Sequence, residues 1–248
     1  TFVTDDQAST ISSEDPVSQE EETPLEEPIT DEEQEETGEE ETPEESEEST
    51  DPTVPLFPLA MDEHVAYVSG DTQDRVNPNN NLTRAEAASL VYKLLTEPAD
   101  PVSDRFSDVT DGQWFATAVN SLAAMGIVSG ADGTSYSPSA SIRRAEFISI
   151  LSKLFPMEES EVSFTDVPDN HWALPAIQNA VAKGWASGYP DGTFRPNAPI
   201  TRAEAFALIN NMLGRSADIE LIDNAGKCLQ FLDLPKNHWA YYHIMEAS

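Results

Sequence analysis

The sequence predicts a mainly α-helical domain built from three helix–loop–helix repeats. They form a closed ring of three units preceded by a disordered acidic segment. Three observations carry this prediction. One arginine-led motif occurs three times, in "LTRAEAASLVYKLL" at 82–95, "IRRAEFISILSKLF" at 142–155 and "ITRAEAFALINNML" at 200–213. A phenylalanine followed eight residues later by tryptophan also occurs three times, as Phe106–Trp114, Phe164–Trp172 and Phe231–Trp239. The two motifs are out of phase at the chain ends: the first arginine motif has no Phe–Trp motif before it, and the last Phe–Trp motif has no arginine motif after it. Units of this kind bury their apolar faces on their neighbours, and a broken first unit completed by the C-terminus is what a ring requires.

The N-terminal segment comes first. Residues 1–60 hold 22 acids and no Lys or Arg, which places −22 of the chain's formal charge of −33 there. Its runs of Glu, Asp, Thr, Ser and Pro repel one another and carry too little apolar surface to offset the entropy of ordering. Residues 1–60 are therefore expected to be a disordered, extended linker. A weak Ca²⁺-holding tract is the alternative, but no ligand spacing supports it. Residues 61–248 are long enough for one domain with a real core.

Composition excludes several classes. The acidic balance argues against nucleic acid, which needs a basic face. No run of about 20 apolar residues is present to span a membrane. The single cysteine, Cys228, permits no internal disulfide and fits either redox compartment. No export signal is visible, so an exported protein would have lost it.

The repeats align on their arginines. Gly70–Pro78, Gly130–Pro138 and Gly188–Pro196 are each eight residues apart, and each proline lies six residues before its arginine. Repeat 1 spans about 61–105 and is completed by 231–248; repeat 2 spans about 106–163 and repeat 3 about 164–230. Counting from the tryptophans places Ser248 and His64 at consecutive positions of one repeat. Within a unit the first helix carries apolar residues at helical spacing, as in Trp114, Ala118, Leu122 and Met125, and ends at Gly126. The second helix buries Ala88, Val91 and Leu95 in repeat 1, Ile148, Leu151 and Phe155 in repeat 2, and Phe206, Ile209 and Leu213 in repeat 3. Between them lies a turn, clearest at Pro190-Asp191-Gly192. Trp114, Trp172 and Trp239 recur at one position and are expected to pack in the core.

Thr83 and Thr201, each followed three residues later by glutamate, read as capping boxes with Glu86 and Glu204. In repeat 2 Arg143 replaces the threonine. The capping residues do not account for Arg84, Arg144 and Arg202, because a cation in a first helical turn faces the positive end of the helix dipole. Two readings offset that cost. An anion can be held jointly by the guanidinium and the free helix amides. Alternatively, each arginine pairs with an acid such as Asp108 or Asp166 of the F-x-D motifs.

Taken together, F-x-D, the tryptophan, "GYPDGTFRPN" and "ITRAE" resemble the S-layer homology (SLH) triplet of bacterial cell-surface proteins, over essentially residues 61–248. The resemblance implies a pseudo-threefold prism that binds secondary cell-wall polysaccharide, often bearing anionic pyruvate ketals, in grooves between repeats. It also implies ligand contacts at Arg84, Arg144 and Arg202. Asp108, Asp166 and Trp185 complete the candidate ligand-binding set, Trp185 as a residue that could stack on a sugar. Arg202 belongs to the best-preserved repeat and is expected to be solvent-facing and to contribute most. The implied protein is a non-catalytic, extracellular wall anchor, monomeric and without a membrane span. No catalytic group, cofactor or metal spacing is discernible. The alternatives are a protein–protein scaffold of the cell surface, or a glycoside hydrolase using paired carboxylates.

Overall fold

A computed structural model of the chain describes residues 51–61, 65–224 and 231–248. Expectations for residues 1–50 and for Cys228 lie outside the described residues. Among those described, the secondary structure is seven helices and a few isolated β-bridges: α1 Arg84–Leu94, α2 Ala116–Ala124, α3 Arg144–Ser152, α4 Leu174–Ala182, α5 Arg202–Met212, α6 Ile219–Asn224 and α7 Tyr241–Ala247.

The pairing of the helices follows the repeat. Helix α1 packs on α2, α3 on α4, and α5 on α7, so each arginine-led helix packs on the first helix of the following unit. The nine apolar positions expected on the arginine-led helices are all buried. Gly126 and Gly184 end α2 and α4 with φ +72°, the left-handed conformation a helix C-terminus favours and that glycine adopts without strain.

The C-terminus completes repeat 1 through specific hydrogen bonds. The amides of Ile127 and Val128 donate to the Leu122 carbonyl after α2, and those of Trp185 and Ala186 to the Ala180 carbonyl after α4. Tyr67 and Val68 make the same pair of bonds to the Ala247 carbonyl, at 3.0 and 2.9 Å. Ala247 lies eight residues after Trp239, as Leu122 does after Trp114 and Ala180 after Trp172. A joint that is covalent in repeats 2 and 3 is therefore made by hydrogen bonds and packing in repeat 1.

The segments entering the arginine-led helices meet in a cycle. Leu82 N–H donates to the Ile200 carbonyl, Ile200 N–H to Ile142, and Ile142 N–H back to Leu82, at 2.9, 3.1 and 2.9 Å. All three side chains are fully buried. Three amides and three carbonyls are thus satisfied without a sheet, which is why the segments appear only as isolated bridges.

The F-x-D motifs hold the turns. Both carboxylate oxygens of Asp108 accept from the amides of Tyr136 and Ser137, those of Asp166 from Phe194 and Arg195, and those of Asp233 from Val76 and Asn77. Ser137, Arg195 and Asn77 each precede the proline and sit at φ +59°, +60° and +51°. That conformation is costly for a residue with a side chain, and the paired carboxylate bonds offset it. The phenylalanine of each motif lies on the repeat's glycine. A Cβ built on Gly188 would lie 2.3 Å from Phe164 Cε1, whereas on Gly70 it would lie 3.3 Å from Phe231 Cε1. Gly188→Ala is therefore expected to destabilise by about 1–3 kcal/mol through overpacking, and Gly70→Ala by clearly less. Urea unfolding of the two variants measures the difference.

Two expectations differ from what is found. Trp114, Trp172 and Trp239 are not core residues: they are 68%, 60% and 60% exposed. Each stands just ahead of its helix, where the first turn has not yet aimed side chains inward, and the core is filled by the residues that follow, such as Ala118 and Leu122. Residues 51–60, assigned to the linker, are bound to the helical body. Leu56 N–H donates to the Leu154 carbonyl, Ala60 N–H to Leu94, and Thr96 N–H to Pro58. Phe57 and Leu59, half-buried against the core, and buried Ala60 supply burial for which the acidic runs before them have few apolar residues.

Candidate functional site

The three arginines begin α1, α3 and α5, and their neighbours satisfy those helix ends. Arg84 and Ala85 amides donate to the carbonyls of Ala140 and Pro138, Arg144 and Ala145 to Ala198 and Pro196, and Arg202 and Ala203 to Asn80 and Pro78. The next amide is taken by a cap. Thr83 and Thr201 form complete capping boxes with Glu86 and Glu204. Arg143 has no side-chain acceptor, so in repeat 2 only the glutamate half survives, Arg143 N–H donating to Glu146 Oε2 at 2.8 Å. The starts of α1 and α5 thus spend their amides inside the protein, as do the first two amides of α3, and a ligand anion would not find these free.

The guanidiniums reach across repeats, and their acid partners are glutamates rather than Asp108 and Asp166. Arg202 Nη1 donates to Glu86 Oε1 at 2.7 Å, while Arg84 and Arg144 lie 3.8 and 4.0 Å from Glu146 and Glu204. Each glutamate therefore serves twice, capping its own helix through Oε2 and facing the preceding repeat's arginine through Oε1. Backbone carbonyls take further donors: Arg84 bonds Tyr136 and Ser129, Arg202 bonds Val76, and Arg144 bonds Ser187. The arginine side chains are only 10–17% exposed, so Arg202 is not solvent-facing as expected. The cation at a positive helix end is stabilised by this ring of carbonyls and carboxylates.

Two grooves contain Arg144 and Arg202, while Arg84 lines neither of them; each groove draws on all three repeats. The first, about 760 Å³, is lined by Arg144 of repeat 2, by Trp185, Ser187, Gly188, Tyr189, Glu204 and Leu208 of repeat 3, and by Trp239 and His243 of the C-terminal unit. The second, about 1000 Å³, holds Arg202 of repeat 3, Ser69, Gly70, Asp71, Arg75, Thr83 and Glu86 of repeat 1, and Trp114 of repeat 2. One plan serves both: a guanidinium from one repeat, the Ser-Gly turn and glutamate of the next, and an exposed indole from the third. The best-preserved turn, "GYPDGTF", is reached by Arg144 and not by Arg202, which serves the divergent turn of repeat 1.

The Arg144 groove is also the less saturated. Arg144 Nε is buried with no hydrogen-bond partner among the described residues, whereas the Nε atoms of Arg84 and Arg202 each bond a carbonyl. Tyr189 donates its hydroxyl to Glu204 Oε1 at 2.8 Å and lies beneath the Arg195 guanidinium, 3.8 Å from ring centre to Cζ. Burial works to raise the Glu204 carboxyl, but the Thr201 amide, the Tyr189 and Thr201 hydroxyls and the Arg144 charge together hold it below its ordinary value. Its contribution to stability is present above the unfolded-state value and is lost only as acid protonates the folded carboxyl. Burial lowers His243 at the rim.

The predicted site residues divide accordingly. Arg144, Arg202 and Trp185 line grooves; Trp185 is 5% exposed and edge-on to Phe155, a wall rather than a free platform. Asp108 and Asp166 are committed to backbone amides of the turns. Trp114, Trp239 and Tyr189 also line these grooves and are not among the predicted site residues. The tryptophans carry a signal in the polar triplet before each, Asp-Gly-Gln, Asp-Asn-His and Lys-Asn-His, which marks a surface position. Among the described residues no group of three or more His, Cys, Asp and Glu side chains is placed to hold a metal, and no helix is long and apolar enough to cross a membrane.

A three-unit helical body with inter-repeat grooves defines a class, and sequence comparison agrees with it. Residues 66–88, 105–148 and 163–206 match the S-layer homology domain, and the chain carries a triplet of these repeats. It is 38% identical over 195 residues to a cellulosome-anchoring protein of Acetivibrio thermocellus, covering 75% of this chain and 42% of that protein. It is 34% identical to cell surface glycoprotein 1 of the same organism, over 75% of this chain and 8% of that protein. It is 33% identical to the exoglucanase XynX of Acetivibrio thermocellus, over 61% of this chain and 15% of that protein. The chain thus spans less than half the length of these relatives.

Proposed function

We propose that the body is a non-catalytic, extracellular cell-wall anchoring module that binds an anionic secondary cell-wall polysaccharide, with residues 1–50 serving as an acidic spacer. The observation that carries this reading is the groove plan itself, a guanidinium and an exposed indole in one groove, found twice, with Arg144 and Trp239 and with Arg202 and Trp114. Indole faces stack on the C–H faces of sugar rings, and a guanidinium pairs bidentately with a carboxylate such as a pyruvate ketal. A body of net charge −11 does not attract a polyanion at long range, so recognition has to be local. The groove of Arg144, Tyr189 and Trp239 is the principal site, because Arg144 Nη1 is held only by a 4.0 Å contact with Glu204, against 2.7 Å for Arg202 Nη1 and Glu86. Relatives named for anchoring and for the cell surface support the same reading.

The test is co-sedimentation with walls that carry their polysaccharide, with walls stripped of it, and with stripped surface proteins. Binding only to the first is expected. Trp239→Ala should weaken that binding by about 2 kcal/mol, roughly thirtyfold, as for a buried interfacial tryptophan. Its melting should shift little, since the indole is exposed. Retention by stripped surface proteins instead would mark a protein scaffold and overturn the reading.

A further inference from the structure

The segment Asp51–Ala60 touches all three helix pairs at the end opposite the Leu82–Ile142–Ile200 cycle. Its Leu56 amide donates to the Leu154 carbonyl at 2.8 Å and its Ala60 amide to the Leu94 carbonyl at 2.9 Å. Leu94 and Leu154 each lie ten residues after their repeat's arginine, so four residues of strap link the same position of repeats 1 and 2. Leu94 is the last residue of α1, an acceptor left over at a helix C-terminus, and Leu154 lies two residues beyond α3. The third pair is gripped differently: after α5, Arg215 Nη2 donates to the Ala60 carbonyl at 3.0 Å and Nη1 to the Val65 carbonyl at 3.1 Å. Upstream, Lys183 at the end of α4 donates to the Pro52 carbonyl at 2.6 Å and is fixed by Glu158 at 2.8 Å. Pro55 and Pro58 lower the entropy cost of holding this stretch extended.

The strap precedes the joint of the body that is made by hydrogen bonds and packing rather than by continuous chain. Tyr67 and Val68 are held to α7 only by hydrogen bonds and packing, where the other two repeats have a continuous chain. A pull on the N-terminal segment, passed straight to Val65–Val68, would peel that joint open one bond at a time. We propose that Asp51–Ala60 is a load-sharing clamp: it takes tension arriving from the acidic segment and distributes it to the ends of α3, α4, α1 and α5 before it reaches the joint. Tension is what an anchor meets, so the inference rests on the anchoring reading for its occasion; its test uses no glycan and stands or falls separately.

The experiment is single-molecule pulling of the full chain between its N-terminus and a handle on Asp169→Cys, an exposed turn residue of repeat 3, with Cys228→Ser. Leu56→Pro with Ala60→Pro removes the two strap amides while leaving every helix intact. The parent should rupture in one step. The double variant should rupture first at lower force, with a short initial extension that opens the α7 joint. Leu56→Pro alone, which keeps the Leu94 attachment, should fall between the two and serves as the readout if the double variant does not fold. A variant that folds and ruptures at the parent's force and in the parent's pattern would overturn the proposal.

Discussion

Removal of residues 231–248 is expected to leave no cooperatively folded domain. The segment buries Phe231, Leu234, Ile244 and Met245 as well as Ala240 and Ala247. Four such side chains at about 1.5–3 kcal/mol each represent on the order of 6–12 kcal/mol, comparable to the roughly 5–15 kcal/mol that holds a whole domain folded. Trp239 is not the source of this loss, since it is exposed. Two further terms add to it. The Tyr67 and Val68 amides lose the Ala247 carbonyl, and the left-handed Asn77 loses the Asp233 carboxylate that holds it. A urea titration followed by circular dichroism should show a broad, shallow loss of helix in place of one sharp transition. A truncated protein that keeps the parent's melting temperature would show that α7 is an appendage rather than the missing part of repeat 1.

Much of this architecture can be read from the chain because repetition carries it. Apolar spacing placed α1 to α5, and the threonine–glutamate pairs placed two helix starts. The displaced Phe231–Trp239 motif pointed to the completion of repeat 1, the pairing that the Ala247 hydrogen bonds make. What could not be read depends on contacts between repeats. The partners of Arg84, Arg144 and Arg202 are glutamates already explained as caps, and nothing in one repeat says that Glu204 has a second oxygen to offer Arg144. Asp108 and Asp166 looked like partners for those arginines, yet their two oxygens are used by adjacent turn amides. The tryptophans misled for a geometric reason: helical periodicity extended one turn too far puts Trp114 on the buried face of α2, but the helix begins at Ala116. Quality of motif does not by itself say which groove an arginine lines. Arg202 lies in the best-preserved repeat, but an arginine serves the groove of the following repeat, so the best-preserved turn belongs to Arg144.

Arg144→Ala is accordingly expected to cost more binding than Arg202→Ala. Arg202 has its Nε on the Val76 carbonyl and its Nη1 on Glu86 at 2.7 Å, so a ligand carboxylate has to compete for it. Arg144 has a weaker hold, 4.0 Å to Glu204, and a buried Nε with no partner. A bidentate charge-assisted pair there contributes about 1.5–3 kcal/mol per hydrogen bond, so its loss should weaken glycan binding by roughly tenfold or more. Arg144→Lys should recover only part, because an ammonium cannot present two parallel donors. The fold should survive, since Glu204 keeps the Tyr189 hydroxyl and the Thr201 amide and hydroxyl as donors.

The central claim is that this arginine recognises the anionic group of the wall glycan, and a thermodynamic cycle tests it most directly. Dissociation constants are measured by calorimetry for the parent and Arg144→Ala, each with the glycan before and after chemical removal of its pyruvate. The account predicts that depyruvylation weakens the parent by roughly tenfold or more and leaves Arg144→Ala nearly unchanged, a coupling of about 1.4 kcal/mol or larger. Equal losses on depyruvylation in both proteins would contradict it and leave Arg144 a structural tie between repeats.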